Sequence, residues 1–284
     1  MRCVWDAYLN LLPQRMRSEV DRLGSQTLQE LRLRLNLPPE LITVDGSLFL
    51  DELVTKEDLE FCVNTASRYS PWSAATSAQG YITAPGGHRI GLCGTAIMSH
   101  NEMTGISELS SLCLRVARDF PGVAEKAALL KGSILILGKP GSGKTTLLRD
   151  LIRLKSDRDN GCIAVVDERG ELFPKLMGCS SFSAGKRTDI LTGCTKKQGI
   201  HTILRTMSPT TIAVDEITAL EDCNALIHAG WCGVKFLATV HAGSKSDLFS
   251  RPIYKPLVKS GLFDHLLILR GDKSWYAERM ELWD

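Results

Sequence analysis

The stretch Gly138-Lys139-Pro140-Gly141-Ser142-Gly143-Lys144-Thr145 has the residue types of an anion cradle. Glycines allow successive backbone N–H groups to turn inward, and a lysine and a hydroxyl close the run. An apolar segment precedes it and an amphipathic one, from about Lys144, follows, with Thr146 counted among the nucleotide-binding residues, so the loop should join a strand to the N-terminus of a helix, whose positive dipole end favours a phosphate. In that setting Lys144 reaches the β and γ phosphates of a nucleotide and the Thr145 hydroxyl ligates Mg²⁺. A plain glycine-rich turn leaves the strand–loop–helix context unexplained. A dinucleotide-binding turn leaves Lys144 without a role.

Such a loop needs carboxylates at the same sheet edge, and "TTIAVDEIT" offers Asp215 and Glu216 directly after an apolar strand. The first suits a metal-bound water and the second suits orienting or deprotonating the attacking water. The competing reading is that the pair opens the next helix, where acidic residues favour the dipole. A second cluster, "VVDERGEL", ends another strand with Asp167, Glu168 and Glu171. One of them, with Glu168 and Glu171 favoured, shares the metal or water network, unless the group only caps and salt-bridges. His241 ends the strand in "KFLATVHAGS" and is placed to contact the γ phosphate through a ring nitrogen.

The elements that must position these groups follow from the hydrophobic pattern. From Gly132 onward short apolar strands (133–137, 162–166, 211–214, 235–240) alternate with helical segments (from about 144, near 196–207 and near 220–230). Strands without polar alternation, separated by helices, belong to a mostly parallel sheet covered on both faces. The first 125 residues read differently. Leu9, Leu12, Met16, Val20, Leu23, Leu28 and Leu31 keep helical spacing, interrupted by Pro13 and Gly24, and predict two or three short helices over 5–35. Asp45-Gly46 and Pro85-Gly86-Gly87 sit between apolar runs as hairpin turns, and a helix starts after Thr55 as N-cap in "KEDLEFCVNTASRYS". The expected organisation is a smaller α+β N-terminal domain over 1–125 and an α/β domain over 126–284, joined near 121–132.

Composition narrows the partners. With 44% apolar and 23% charged residues the 284-residue chain is a folded, globular one, and its 34 basic residues, scattered at a net charge of +2, make a weak footprint for nucleic acid. Nine cysteines without C-x-x-C pairs read as reduced thiols of a cytoplasmic protein. The N-terminus is interrupted by Asp6, Gln14, Arg15 and Arg17 and does not read as a signal peptide. No run approaches the roughly 18 apolar residues of a spanning helix. Any membrane role would be peripheral, through partners.

The four elements in this order, with "LRTMSPTTIAVDEI" and "LATVHAGS", resemble the secretion ATPases of type II and type IV systems, a branch of the RecA/AAA-like P-loop motors. With "GYITAPGGHRIGLCGTA" and "SSLCLRVARDFPGVA" added, nearly the whole chain is similar to the stage III sporulation AA family of endospore-forming bacteria. The resemblance implies a RecA/AAA-like ATPase domain using ATP and Mg²⁺, a homo-hexamer or other ring, and a membrane-embedded channel or secretion apparatus as partner. It also implies arginines that complete the site, with Arg205 on the pattern and Arg89, Arg115 and Arg118 as candidates from the N-terminal part. The chain departs from many secretion ATPases in having Asp215-Glu216 where they have Gly-Glu, and it lacks their four-cysteine zinc module. A nucleic-acid-stimulated ATPase of RecA or helicase type and a nucleotide-binding scaffold with little turnover are the competing classes.

Overall fold

A computed structural model of the chain describes residues 1–67, 80–176 and 179–280. The chain forms two compact units, Met1–Asp119 with Pro174–Ser181, and Phe120–Phe173 with Phe182–Asp284. The expected join at 121–132 belongs to the second unit, because the N–H groups of Gly122 and Ala124 donate to the Asp150 carboxylate (2.8 and 2.9 Å).

The first unit is an antiparallel sheet with helices. α1 (Trp5–Asn10) and α2 (Gln14–Thr27) are separated at Pro13, and α2 is interrupted at Gly24 (φ 72°), as the two breakers imply. Helical spacing fails after that. Leu28 and Leu31 lie on a strand, β1 (Leu28–Arg34), whose buried residues include Leu33. β2 (Glu40–Thr43) and β3 (Ser47–Phe49) make the Asp45-Gly46 hairpin. Next comes α3 (Lys56–Ser67), capped reciprocally by Thr55 and Asp58 (3.3 and 2.8 Å); the last three residues of the helical stretch expected there, 68–70, lie outside the described residues. β4 (Tyr81–Thr83), β5 (Arg89–Ser99) and β6 (Glu102–Arg115) complete the order β3-β2-β1-β6-β5-β4. Tyr8, Leu11, Leu12, Met16 and Val20 pack with Leu31, Ile90 and Leu114 as its core.

The second unit carries seven strands: β7 (Ile134–Leu137), β8 (Ile163–Asp167), β11 (Thr188–Thr192), β12 (Thr211–Val214), β13 (Lys235–Val240), β14 (His265–Leu269) and β15 (Trp275–Arg279). Their order in the sheet is β11-β8-β12-β13-β7-β14-β15, and between β8 and β11 in the chain the short antiparallel pair β9 (Lys175–Leu176) and β10 (Cys179–Ser180) belongs to the first unit. All pairs in the seven-stranded sheet are parallel except the edge pair β14–β15. The strands β7, β8, β12 and β13 are buried nearly throughout, which is why they read as apolar runs without alternation. Three helices match the expectation: α4 (Lys144–Arg158), α5 (Lys196–Thr206) and α6 (Leu220–Gly230). The strands β11, β14 and β15 were not expected.

One titrating group is built into the first unit. His88 is fully buried, its Nε2 3.0 Å from the Val4 carbonyl and its Nδ1 accepting the Ala117 N–H at 3.0 Å. Burial outweighs the Val4 bond and depresses its pKa, so the folded chain keeps the ring neutral. The unfolded chain takes up the proton near pH 6.5, so this contribution is complete above that pH and is lost as pH falls below it, with a slope of at most about 1.4 kcal/mol per pH unit. Urea unfolding of wild type and His88→Asn between pH 7.5 and 5 should show a shallower pH dependence in the variant. Equal slopes would remove His88 from this role.

Candidate active site

The strand ends converge as the chemistry requires. Val240 pairs with Leu137, and Val214 pairs with both Ala238 and Val166, so the residues after β7, β13, β12 and β8 share one sheet edge. The strand carrying Asp215 is not next to the phosphate loop, however, because β13 lies between them. Thr239, fully buried on β13, fills that gap. Its hydroxyl donates to Asp215 Oδ1 at 2.5 Å and accepts the Glu216 N–H at 2.8 Å.

The loop itself has a cradle's form. Gly141 and Gly143 adopt φ of 74° and 99°, and a Cβ added at Gly138 would lie 2.3 Å from Ser142 Oγ. Ser142 is 8% exposed, and its hydroxyl has no hydrogen-bond partner. Lys144, 4% exposed at the start of α4, donates to the Lys139 carbonyl (3.1 Å) and lies 3.0 Å from His241 Nδ1. Burial lowers its pKa. Because an ammonium can only donate, Nδ1 is the acceptor and the ring proton sits on Nε2. That nitrogen lies 3.1 Å from Glu216 Oε1, making a chain from Lys144 through His241 to Glu216.

Asp215 and Glu216 lie outside any helix. α6 starts at Leu220 and is capped by Asp222, which accepts the N–H groups of Thr218 and Ala219, so the helix-start reading of the pair is excluded. The Thr145 hydroxyl donates to Asp215 Oδ2 at 2.8 Å, joining the loop's helix to the acidic pair. Desolvation raises the Asp215 pKa even against the Thr239 and Thr145 bonds. Two hard oxygen donors side by side, one of them a carboxylate short of a cation, fit Mg²⁺. Glu216 has φ 49°, a left-handed conformation that costs a non-glycine residue roughly 1–3 kcal/mol and is found at functional sites.

The second acidic cluster faces the same place. Asp167, Glu168, Glu171, Asp215 and Glu216 line one small cavity. Asp167, 2% exposed, organises the turn by accepting the N–H groups of Glu171 and Phe173 (both 2.9 Å), and burial raises its pKa. Glu168 is paired with Lys196 at 2.6 Å, so its charge is compensated within the turn region. Arg149, on the buried face of α4, holds the turn by donating to the carbonyls of Leu172 (2.5 Å) and Glu171 (2.9 Å). Arg169 reaches to 3.9 Å from Glu216 Oε2.

The candidate arginines are divided between the two units. Arg205 is exposed in the last turn of α5, at the sheet edge opposite the phosphate loop. Arg118 donates to the carbonyls of Ser25 (2.7 Å) and Leu28 within the first unit, so it serves packing there, and burial lowers its pKa. Arg89 stacks over Tyr81 at 3.7 Å. Arg115 is mostly exposed, 3.5 Å from Glu30. Thr239 and Arg149 were not singled out from sequence, whereas Ser142 was named within the loop without a separate task for its hydroxyl.

The chain matches the family "Sporulation stage III, protein AA" over residues 6–277. It is 36% identical over 276 residues to stage III sporulation protein AA of Bacillus subtilis (strain 168), covering 93% of this chain and 90% of that protein. The chain belongs to the sporulation stage III protein AA family. Among more distant relatives of this family member, the protein SEEDLING PLASTID DEVELOPMENT 1 of Arabidopsis thaliana is 26% identical over 259 residues, which is 89% of this chain and 36% of that one. The fold is shared with the Legionella pneumophila ATPase DotB (TM-score 0.58, 18% identity, 94% of this chain and 80% of that one). It is also shared with the pilus retraction motor PilT bound to ADP (TM-score 0.59, 14% identity, 89% and 76%). Those likenesses show the fold alone, a P-loop α/β unit with a mostly parallel sheet preceded by a smaller unit.

The electrostatics give a direct prediction. A carboxyl whose pKa is raised on folding opposes folding at neutral pH, since the unfolded state ionises more freely. Asp215→Asn, whose carbonyl oxygen keeps the Thr239 bond while its amide N–H donates to the Thr145 hydroxyl, should raise the melting temperature of the nucleotide-free protein by roughly 2–4 °C, the shift for about 1 kcal/mol in a unit of this size. A lower melting temperature by calorimetry would show that the ionised carboxylate is a structural requirement.

Proposed function

We propose that this protein is a Mg²⁺-dependent ATPase motor that works as a homo-oligomeric ring. By the family resemblance, it energises assembly of, or transport through, a membrane-spanning channel between mother cell and forespore during sporulation. The observation that carries the reading is the meeting, at one sheet edge, of Thr145 with Asp215 and of Lys144 with Glu216 through His241.

Each group has a task that its surroundings support. The amides of 138–145 and the Ser142 hydroxyl bind phosphate oxygens, and Lys144 neutralises charge at the β and γ phosphates. Thr145 and Asp215 hold the cation, which supplies Lewis-acid stabilisation of the phosphoryl oxygens. Glu216, strained and fixed through its N–H on Thr239, orients and deprotonates water. His241 donates from Nε2 to Glu216 and exchanges its Lys144 contact when Lys144 turns to phosphate, so phosphate occupancy reaches the general base through one ring. Glu171 lies on the wall of the same acidic cavity, placed to join the water network. Of the candidate arginines in the first unit, Arg115 is the one whose exposure suits completing a site from another part of a ring.

No described helix is long and apolar enough to cross a membrane, which supports attachment through partners. Replacing Glu216 by Gln should leave ATP affinity within a few-fold and lower phosphate release at least about 100-fold. Lys144→Ala should weaken ATP binding itself. Turnover per chain should rise with protein concentration if sites are completed between subunits. Undiminished turnover in Glu216→Gln would take the general-base role away from Glu216.

A further inference from the structure

Beside the phosphate loop the second unit has a cleft of about 730 Å³, the size range of small-ligand sites. One side is the loop itself, Gly141 to Gly143 with Thr146 and Leu147 of α4. The other is formed by Phe120 and Val123 and by the turn before β15, with Lys273 and Trp275. Ser142, whose hydroxyl is buried and unpartnered, is among the lining residues, so the cleft adjoins the phosphate loop.

The walls are suited to stacking and poorly suited to reading a base edge. Trp275 is half-buried, and its indole N–H points to the Val123 carbonyl at 3.4 Å, spanning the cleft from the hairpin to the 120–126 segment. Main-chain groups along that segment are already engaged. The N–H groups of Gly122 and Ala124 donate to Asp150, the Gly122 carbonyl accepts Glu125 N–H (3.3 Å), and the Ala124 carbonyl accepts Ala128 N–H (2.9 Å). The polar side chains at the rim, Glu125, Lys126, Lys273 and Ser274, are exposed to water. Strong discrimination between bases needs buried polar groups that a wrong base leaves unpaired, and exposed groups exert only a weak penalty.

We propose that this cleft seats the nucleoside, with Trp275 as its stacking platform, and that the site detects the presence of a base far more than its identity. The proposal rests on the nucleoside-triphosphate reading above and extends it to recognition. Stacking on an aromatic ring tolerates any base, because each offers a π face, and its loss weakens binding by roughly 5- to 150-fold.

The test measures dissociation constants of the full chain with Mg²⁺ for ATP, GTP and inorganic tripolyphosphate by calorimetry, for wild type, Trp275→Ala and Trp275→Phe. Wild type should bind ATP and GTP within about tenfold of each other and both at least about tenfold tighter than tripolyphosphate. Trp275→Ala should lose about tenfold or more for both nucleotides with tripolyphosphate unchanged, which also shows that the variant is folded, and Trp275→Phe should keep most of the affinity. A preference for one base above about 100-fold overturns the weak-selectivity claim, and wild-type data alone decide it. ATP binding no tighter than tripolyphosphate, or a nucleotide affinity untouched by Trp275→Ala, overturns the cleft assignment while leaving the phosphate loop in place. Failure of all three ligands to bind wild type overturns the nucleotide reading itself.

Discussion

One buried carboxylate ties the second unit's working parts together. Asp215 accepts a hydroxyl from Thr145 on the loop's helix and another from Thr239 on the intervening strand, and Thr239 in turn fixes the backbone of Glu216. Thr145 reaches past β13 to Asp215 directly, and Thr239 on that strand holds Asp215 and the Glu216 backbone together. The loop's helix, Asp215 and Glu216 thus form one bonded set, and burial makes the Asp215 charge costly. On the proposed reading a bound cation would offset that cost, a trade commonly met where function and stability compete.

The long helix after the loop serves more than phosphate. α4 carries Lys144 and Thr145 at its first turn, Arg149 against the acidic turn, and Asp150 against the 122–124 backbone. One rigid element therefore sets the positions of the loop, of the turn bearing Glu168 and Glu171, and of one wall of the adjoining cleft. A shift of this helix on phosphate binding would be felt at all three. The 174–181 segment that follows the acidic turn clusters with the first unit, and the chain re-enters the second unit at the opposite sheet edge, where Thr188 of β11 pairs with Ile163 at the start of β8.

Much of this was legible from sequence because parallel buried strands announce themselves as apolar runs, and because the glycine loop, Asp215-Glu216 and His241 each close such a run. Legibility failed where the local pattern was ambiguous or the partner distant. Leu28 and Leu31 satisfy helical spacing, and only pairing with Leu41 and Leu114 makes that segment a strand. β11 is a half-buried edge strand with Thr and Asp in it, too polar to read as core. Thr239 is one hydroxyl in an apolar strand, with no sequence mark of its task. Arg118 matched an expectation about transition-state charge, yet its carbonyl partners lie some ninety residues earlier in the chain. Arg205 was placed by family pattern, and the helix direction puts it at the far edge.

The most direct test of the central claim is an experimental structure of the Glu216→Gln protein with Mg²⁺ and ATP. The account predicts the γ phosphate within hydrogen-bonding reach of Lys144, the β phosphate beside the Ser142 hydroxyl, and the cation between Thr145 and Asp215, with the Lys144–His241 contact released. A triphosphate bound elsewhere, or one that leaves the Thr145–Asp215 and Lys144–His241 hydrogen bonds as they are in the empty protein, would contradict it.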